Sequence, residues 1–189
     1  MLIIIDGTYG VGKTATVFEL KKAFLDDSFM VFEPDADALN NLSNEEETQF
    51  YIEILIGLDG TANSVFLTST RKALLSVLSN SENVIMPMTL ASENGKRIIV
   101  DYFTKLNLQI RHFILEASWK TIKNRVEKQT EYDKEVGSEN VRDINLVLNS
   151  YSSNTAFLAK NYLDAIRINT EGKSTYQVAE EISNHLRTM

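Results

Sequence analysis

Eight consecutive residues near the beginning of the chain restrict its fold more than any other feature. Residues 7–14 read Gly-Thr-Tyr-Gly-Val-Gly-Lys-Thr and match G-x-x-x-x-G-K-[ST], a pattern in which backbone N–H groups cradle phosphate oxygens. The preceding residues 1–5 are apolar and mostly β-branched, which is typical of a buried parallel strand. Residues 15–25 repeat apolar side chains at helical spacing. A strand, a glycine loop and a helix in this order predict a phosphate-binding βα unit, the P-loop.

The residue types of this loop suit a nucleotide polyphosphate. Its glycines allow a tight turn and leave no Cβ between the backbone and the phosphates. The following helix adds unpaired N–H donors and a partial positive charge at its N-terminus. We expect Lys13 to reach the β- and γ-phosphates and the Thr14 hydroxyl to ligate Mg²⁺. The predicted nucleotide-binding residues of the loop are Gly7, Thr8, Tyr9, Gly10, Val11, Gly12, Lys13 and Thr14.

Composition limits the possible partners and compartment. A chain of 189 residues fits one α/β domain, so we expect residues 1–189 to form a single domain. The absence of cysteine excludes disulfides and thiolate metal sites. The first apolar run stops at Asp6 and lacks a basic region, which predicts a cytoplasmic protein without a signal peptide or an integral membrane segment. A formal net charge of −7 argues against a nucleic-acid partner.

Short apolar runs alternate with longer segments of helical periodicity along the chain. Alternating βα units predict a three-layer α/β fold, in which a parallel sheet lies between helices and binds ligands beyond the carboxyl ends of its strands. The predicted strands are Leu2–Ile5, Phe29–Phe32, Val84–Met88, Leu108–Leu115 and Ala165–Ile168. The predicted helix N-caps are Asn44 (with Glu47), Ser118, Ser138 and Ser174 (with Gln177).

Acidic residues follow the second predicted strand, where substrates bind in such sheets. Of Glu33, Asp35 and Asp37, we select Asp35 as the residue that orients or deprotonates a substrate hydroxyl. The alternative is a polar loop with acidic residues that favour a helix start. The third strand ends at Thr89 and lacks the aspartate with which many P-loop proteins hold Mg²⁺. Either water and another carboxylate, such as Asp6 or Asp35, then serve the metal, or catalysis is weak.

Arginines supply the candidate cations. Arg71 lies in an amphipathic segment and is predicted to hold a polar or anionic substrate group, with a solvated helix face as the alternative. The charged residues 119–142 predict a mobile helical lid, from which Arg125 would close over the phosphates. Lys128 and Arg142 are further candidates in this stretch, and two surface helices with a charged loop are the alternative.

The class of P-loop protein follows partly from what the sequence lacks. GTPases need a guanine-reading Asn-Lys-x-Asp, and the pair Asn-Lys occurs nowhere in the chain. A helicase or transport ATPase needs a larger domain and an acidic strand end. The class of small-molecule kinases remains, in which the last strand-to-helix turn contacts the adenine of ATP. Asn169 and Thr170 occupy that turn here. His112, inside the fourth predicted strand, accompanies no nucleophile signature and is predicted to be either structural or solvent-exposed.

The chain resembles the tunicamycin-resistance family of P-loop proteins, relatives of shikimate kinase and chloramphenicol phosphotransferase. The resemblance extends over nearly the whole chain. Its most specific segments are IDGTYGVGKT at 5–14, FEPD at 32–35, VIMPMT at 84–89 and HFILEAS at 112–118. It implies a kinase-like core with strand order 2-3-1-4-5 and ATP bound at the loop. It also implies a nucleoside-like or sugar-like antibiotic or metabolite as the second ligand.

These observations predict an enzyme, an ATP-dependent kinase that transfers a phosphoryl group to a hydroxyl of a small metabolite or nucleoside-type antibiotic. ATP and Mg²⁺ are the expected cofactors, the acceptor is nucleoside-, sugar- or acid-like, and the protein is a monomer or homodimer. The predicted catalytic residues are Lys13, Asp35, Arg71 and Arg125. The main competing hypothesis is a protein that binds ATP and sequesters an antibiotic without turnover. Two further hypotheses are a polynucleotide-end kinase and a purely structural module.

Overall fold

A parallel sheet of five strands forms the middle layer of the structure, a computed structural model that describes residues 1–26, 28–34, 43, 45–47, 49–50, 63–136 and 144–187. The strand order is β2-β3-β1-β4-β5, and every neighbouring pair is parallel. This confirms the predicted fold class and strand order. The strands are β1 (Leu2–Gly7), β2 (Phe29–Val31), β3 (Asn83–Pro87), β4 (Ile110–Glu116) and β5 (Ile166–Asn169).

Helices cover both faces of the sheet. None of the helices within the described ranges is long and apolar enough to cross a membrane. A π-helical turn, Lys96–Val100, joins two short helices after β3. The helices that lie wholly within the described ranges are α1 (Lys13–Phe24), α2 (Ser64–Asn80), α3 (Glu93–Gly95), α4 (Asp101–Lys105), α5 (Trp119–Glu135), α6 (Ile144–Asn161) and α7 (Thr175–Arg187).

The alternation of side chains along β1 divides the core into two layers. Leu2 and Ile4 pack on one face of the sheet with Phe66 of α2. Ile3 and Ile5 pack on the other face, in the cluster that contains residues of α1 and α7. All four β1 side chains are fully buried, because successive residues of a strand point to opposite faces and both faces are covered. This explains why β1 is a continuous apolar run.

Side-chain caps fix several helix starts. Ser118 accepts a hydrogen bond from the backbone N–H of Thr121 at the start of α5, and Ser174 and Gln177 cap α7 reciprocally, both as predicted. The capping box expected at Asn44 and Glu47 is formed one position earlier, by Ser43 and Glu46. Asn44 and the predicted cap Ser138 lie outside the described residues.

The strand boundaries differ from the predicted ones by one or two residues. Two-residue differences occur at β1, which ends at Gly7 and not at Ile5, and at β4, which begins at Ile110 and not at Leu108. Asn107 has a left-handed φ of 55°, and the N–H of Leu108 bonds back to the carbonyl of Phe103. The chain is therefore still completing the turn after α4 at the two positions where the apolar pattern predicts a strand.

Candidate nucleotide-binding site

The loop between β1 and α1 can be built only with glycine at its first position. Gly7 has φ of 141°, and a Cβ there would lie 2.6 Å from the backbone oxygen of Leu115 at the end of β4. A side chain would therefore clash with rigid backbone as well as strain the dihedral angle. Because of this close approach, the loop begins directly against the carboxyl ends of the central strands.

The ammonium of Lys13 lies against the backbone of the loop. Its Nζ donates to the carbonyl oxygens of Gly7 and Thr8, each at 3.0 Å, and lies 5.6 Å from the centre of the Tyr9 ring. Thr14 follows in the first turn of α1, where its side chain is exposed. The structure thus brings a cation, a hydroxyl and the N-terminus of α1 together at the loop.

Asp6 holds the beginning of the loop in place. The residue is fully buried, and its Oδ1 accepts hydrogen bonds from the backbone N–H of Gly7 at 2.6 Å and of Leu90 at 3.0 Å. Its Oδ2 lies 3.0 Å from Nε2 of His112. Both carboxylate oxygens are therefore engaged with protein donors, so a direct metal contact would require one of these bonds to be given up.

Thr89 occupies the position after β3 at which many P-loop proteins carry an acid. It is buried, and its hydroxyl donates to the carbonyl oxygen of Gly7 at 3.0 Å. Within the described part of the chain, no group of three or more metal-binding side chains is close enough to hold an ion. Thr89 therefore fixes the loop, and Thr14 stays the predicted metal ligand.

Arg125 joins the loop to the last turn of the site. From α5, its Nη1 donates to the carbonyl oxygen of Val11 at 3.1 Å and to the hydroxyl of Thr170 at 3.0 Å. Its Nη2 donates to the carbonyl oxygen of Thr170 at 2.9 Å. The guanidinium thus lies beside the loop, at the end of β5, and its closing over the phosphates stays a prediction.

The turn after β5 is braced by its own polar groups. The N–H of Thr170 bonds to the carbonyl oxygen of Glu116 at 2.8 Å, and Thr170 is buried. The exposed Asn169 accepts from the N–H of Glu171 at 2.9 Å. Since the hydrogen-bonding groups of Thr170 are occupied, base recognition by this turn would rely on its shape and on groups that remain exposed, such as Asn169.

Glu171 is a site residue that the sequence did not single out. Its carboxylate accepts from the N–H of Ser118 at 2.5 Å and from the Thr121 hydroxyl at 2.6 Å, both in the first turn of α5. Hydrogen bonds from Ser118, then from Thr121, lower the pKa of Glu171 to about 2. A carboxylate is favourable there because the N-terminus of a helix carries partial positive charge. Only the place of Glu171 in the last turn could have indicated it.

Of the remaining predicted residues, only some lie in the described part of the chain. Arg71 lies on α2 with its guanidinium 4.6 Å from the centre of the Tyr102 ring, a cation–π contact across to α4. Lys128 is exposed on α5. Asp35, Asp37 and Arg142 lie outside the described residues.

A cavity of about 250 Å³ opens beside the loop, between the end of β4 and α6. Its lining includes the hydroxyl-bearing residues Thr8, Tyr151 and Thr155 and the acidic Glu116, and none of its described lining residues is lysine or arginine. Arg167, which is not part of the lining, donates to the carboxylate of Glu116 and to the carbonyl oxygen of Leu158. The Tyr151 hydroxyl donates to the carbonyl oxygen of Ala117 at 2.9 Å, and that of Thr155 donates to the carbonyl oxygen of Tyr151 at 2.8 Å. The sequence did not indicate this cavity, because it forms between segments that lie far apart in the chain.

Comparisons with known proteins agree with this geometry. The profile of a family described as an AAA domain matches residues 2–149, whereas no curated protein sequence matches the chain. The tunicamycin resistance protein of Deinococcus radiodurans is similar in structure, with a TM-score of 0.67, 21% identity, and coverage of 98% of this chain and 95% of that chain.

Two kinases are also similar. Shikimate kinase from Aquifex aeolicus has a TM-score of 0.58 and 16% identity, with coverage of 100% of this chain and 99% of that chain. Deoxyadenosine kinase from M. mycoides, solved with bound dATP, has a TM-score of 0.56 and 16% identity, with coverage of 98% and 99%. The resemblance predicted from the sequence is confirmed, and the chain belongs to the AAA domain family, with a P-loop kinase-like fold.

Proposed function

We propose that this protein binds ATP·Mg²⁺ at residues 7–14 and transfers the γ-phosphoryl group of ATP to a hydroxyl of a small molecule. The observation that carries the proposal is the position of Lys13, whose ammonium is held by the carbonyls of Gly7 and Thr8 at the start of α1. A cation there, next to the backbone amides of a helix N-terminus, is the arrangement that binds polyphosphate in P-loop proteins.

The residues present fit a nucleotide and its metal. At Gly12, which has φ of 103°, a Cβ would meet nothing within 4 Å, so the loop has open space beside it at this position. The donors of the loop are backbone amides and one ammonium, which suit phosphate oxygens, and the exposed Thr14 hydroxyl suits a hard cation such as Mg²⁺. When bound, the metal would neutralise phosphate charge.

Each catalytic residue has a defined part in the proposed transfer. The acceptor oxygen bonds to the γ-phosphorus, the bond from that phosphorus to the β–γ bridging oxygen breaks, and ADP leaves. Asp35 takes the proton of the acceptor hydroxyl, and Lys13 stabilises the charge that develops on the phosphates. Arg71 positions the acceptor, and Arg125 closes over the phosphates with the guanidinium N–H groups that its bonds to Val11 and Thr170 do not use.

The cavity beside Thr8 is proposed to take the part of the acceptor that lies away from Arg71, which is not one of the residues lining the cavity. The protons of the Tyr151 and Thr155 hydroxyls are donated to backbone carbonyls, so these groups offer lone pairs to a ligand. A ligand that presents hydroxyl donors satisfies those lone pairs, whereas a carboxylate or phosphate would face acceptors without a lining cation. Sugar-like and nucleoside-like acceptors therefore fit this cavity better than acidic ones.

Sequestration without turnover is the second candidate function. Two observations favour it: Thr89 stands where an acid often completes the metal site, and the tunicamycin resistance protein is among the similar structures. In this case the same loop would bind ATP, and the second ligand would stay chemically unchanged.

A single-turnover assay separates the two functions. The purified protein is mixed with γ-labelled ATP, Mg²⁺ and pools of nucleosides, amino-sugars and shikimate-like acids, and the label is traced by mass spectrometry. The kinase proposal expects labelled acceptor, and Lys13→Ala abolishes it while the fold, checked by circular dichroism, stays intact. A retained ligand without label contradicts the kinase and supports sequestration.

A further inference from the structure

Buried charge-bearing side chains meet directly below the first glycine of the loop. Asp6 at the end of β1 is fully buried, and the His112 side chain from β4 is only 10% exposed. His112 Nε2 lies 3.0 Å from Oδ2 of Asp6. Because a carboxylate can only accept, Nε2 carries the proton in this pair.

The pair connects segments that are remote in sequence. The Asp6 carboxylate also accepts from the N–H of Leu90, after β3, and the carbonyl of Leu90 accepts from the Tyr162 hydroxyl at 2.9 Å. The ring of Tyr162 meets the ring of His112 edge-on, with centroids 4.5 Å apart. Burial, and then the charge of Asp6, raises the pKa of Tyr162, so its hydroxyl stays a neutral donor. In addition to its bond to Asp6, His112 is thus contacted by Tyr162, which directly follows α6.

The same carboxylate accepts a hydrogen bond from the peptide group that joins Asp6 to Gly7. The N–H of Gly7 points to Oδ1 of Asp6, and its carbonyl oxygen accepts from Thr89 and Lys13. Rotation of the carboxylate would remove the acceptor for the N–H of Gly7 and would leave that of Leu90 unpaired. The bond from His112 to Oδ2 prevents this rotation, since a buried oxygen without a donor carries a free-energy cost.

We propose that His112 is a positioning residue for nucleotide binding. It acts through Asp6: its Nε2–H fixes the carboxylate, and the carboxylate fixes the Gly7 amide at the start of the phosphate loop. The proposal rests on the proposed binding of nucleotide at residues 7–14. His112 of β4 thus supports the phosphate loop, a role that neither the glycine pattern of the loop nor the apolar pattern of the strand predicts.

Paired substitutions at His112 separate positioning from packing. His112→Gln keeps an N–H donor near the place of Nε2, whereas His112→Leu keeps bulk and loses the donor. We expect His112→Leu to weaken MgATP binding about tenfold by calorimetry and His112→Gln to stay within about threefold of the natural protein. If His112→Leu fails to fold, His112→Asn, whose amide ends short of Asp6, takes its place. Unchanged binding in the donor-deficient variant, or no rescue by Gln, contradicts the proposal.

A second measurement works without nucleotide. Amide hydrogen exchange resolved by NMR reports the Gly7 and Leu90 amides directly in the ligand-free protein. We expect both to exchange about tenfold faster in His112→Leu and at the natural rate in His112→Gln. Unaltered exchange in His112→Leu overturns the positioning function. If the natural protein binds no MgATP and yet exchange follows this pattern, the proposed nucleotide binding fails while the effect on Gly7 stands.

Discussion

Arg125 binds Thr170 with two nitrogens of its guanidinium, Nη1 to the hydroxyl at 3.0 Å and Nη2 to the carbonyl oxygen at 2.9 Å. The same Nη1 reaches the carbonyl of Val11 in the loop. One side chain of α5 therefore couples the phosphate loop to the turn that follows β5. This coupling joins the two parts of the site that a nucleotide would have to span.

Replacing Arg125 with Lys keeps the charge and removes the planar fork. A lysine cannot bridge Val11 and both oxygens of Thr170, so we expect MgATP affinity to fall about tenfold. Calorimetric titration measures this effect. Lys123→Ala, which removes an exposed cation from the same helix, is the control and leaves affinity unchanged. Equal affinities of Arg125→Lys and the natural protein would show that this coupling is not used.

Glu171 makes the contact between α5 and the last turn dependent on pH. Its pKa is lowered from 4.5 to about 2, so its contribution to stability is complete above about pH 5 and is lost as the pH falls towards 2. Glu171→Gln removes this titration. The melting temperature of the natural protein should exceed that of Glu171→Gln above pH 5, and the two should converge near pH 2.

The control for that series is Glu180→Gln, an exposed glutamate on α7. Its melting curve should parallel that of the natural protein across the whole range. If the melting temperatures of Glu171→Gln and the natural protein differ by the same amount from pH 2 to pH 7, the contact with Ser118 and Thr121 does not depend on the charge of Glu171. That result would contradict the prediction.

Two glycines with positive φ allow the cost of a steric clash to be separated from the cost of backbone strain. At Gly7 a Cβ would meet the Leu115 oxygen at 2.6 Å, whereas at Gly172, with φ of 66°, nothing lies within 4 Å. Gly7→Ala should lower the free energy of unfolding by about 2–4 kcal/mol, and Gly172→Ala by about 1–2 kcal/mol. Urea denaturation measures both. If both variants lose the same free energy of unfolding, the loop can move away from β4 at little cost, contrary to this prediction.

A substitution in α6 tests whether the acceptor binds in the cavity beside Thr8. Thr155→Val keeps the shape of the side chain and removes a hydroxyl from the cavity, so we expect kcat/KM for the acceptor to fall about threefold to tenfold with ATP affinity unchanged. Ser153→Ala, also on α6 and exposed, should leave both quantities unchanged. A loss of ATP affinity in Thr155→Val with acceptor kinetics intact would place the acceptor elsewhere.

The sequence predicted those features that local patterns encode. The loop at residues 7–14, the strand order and the caps at Ser118 and Ser174 depend on neighbouring residues or on an overall resemblance. The contact of Asp6 with His112 was missed because the two are 106 positions apart and no periodicity links them. The turn at Asn107, which shortens β4, was missed for a related reason, since the apolar content of a segment does not reveal a positive φ.

The predicted catalytic set shows the same limit. Arg125 was selected for its place in a charged stretch, but its hydrogen bonds to Val11 and Thr170 depend on how α5 packs against two other segments. Glu171 contacts α5 across 53 positions and was identified only from the folded chain. The roles assigned to Asp35 and Arg71 stay predictions.

Nucleotide binding through Lys13 is the central claim, and calorimetry with MgATP tests it most directly. The natural protein should bind MgATP, Lys13→Ala should lose at least about tenfold in affinity, and Lys22→Ala, an exposed lysine on the same helix, should bind as the natural protein does. Circular dichroism checks that all three are folded. No detectable binding by the natural protein, or equal affinity in Lys13→Ala, would contradict the account.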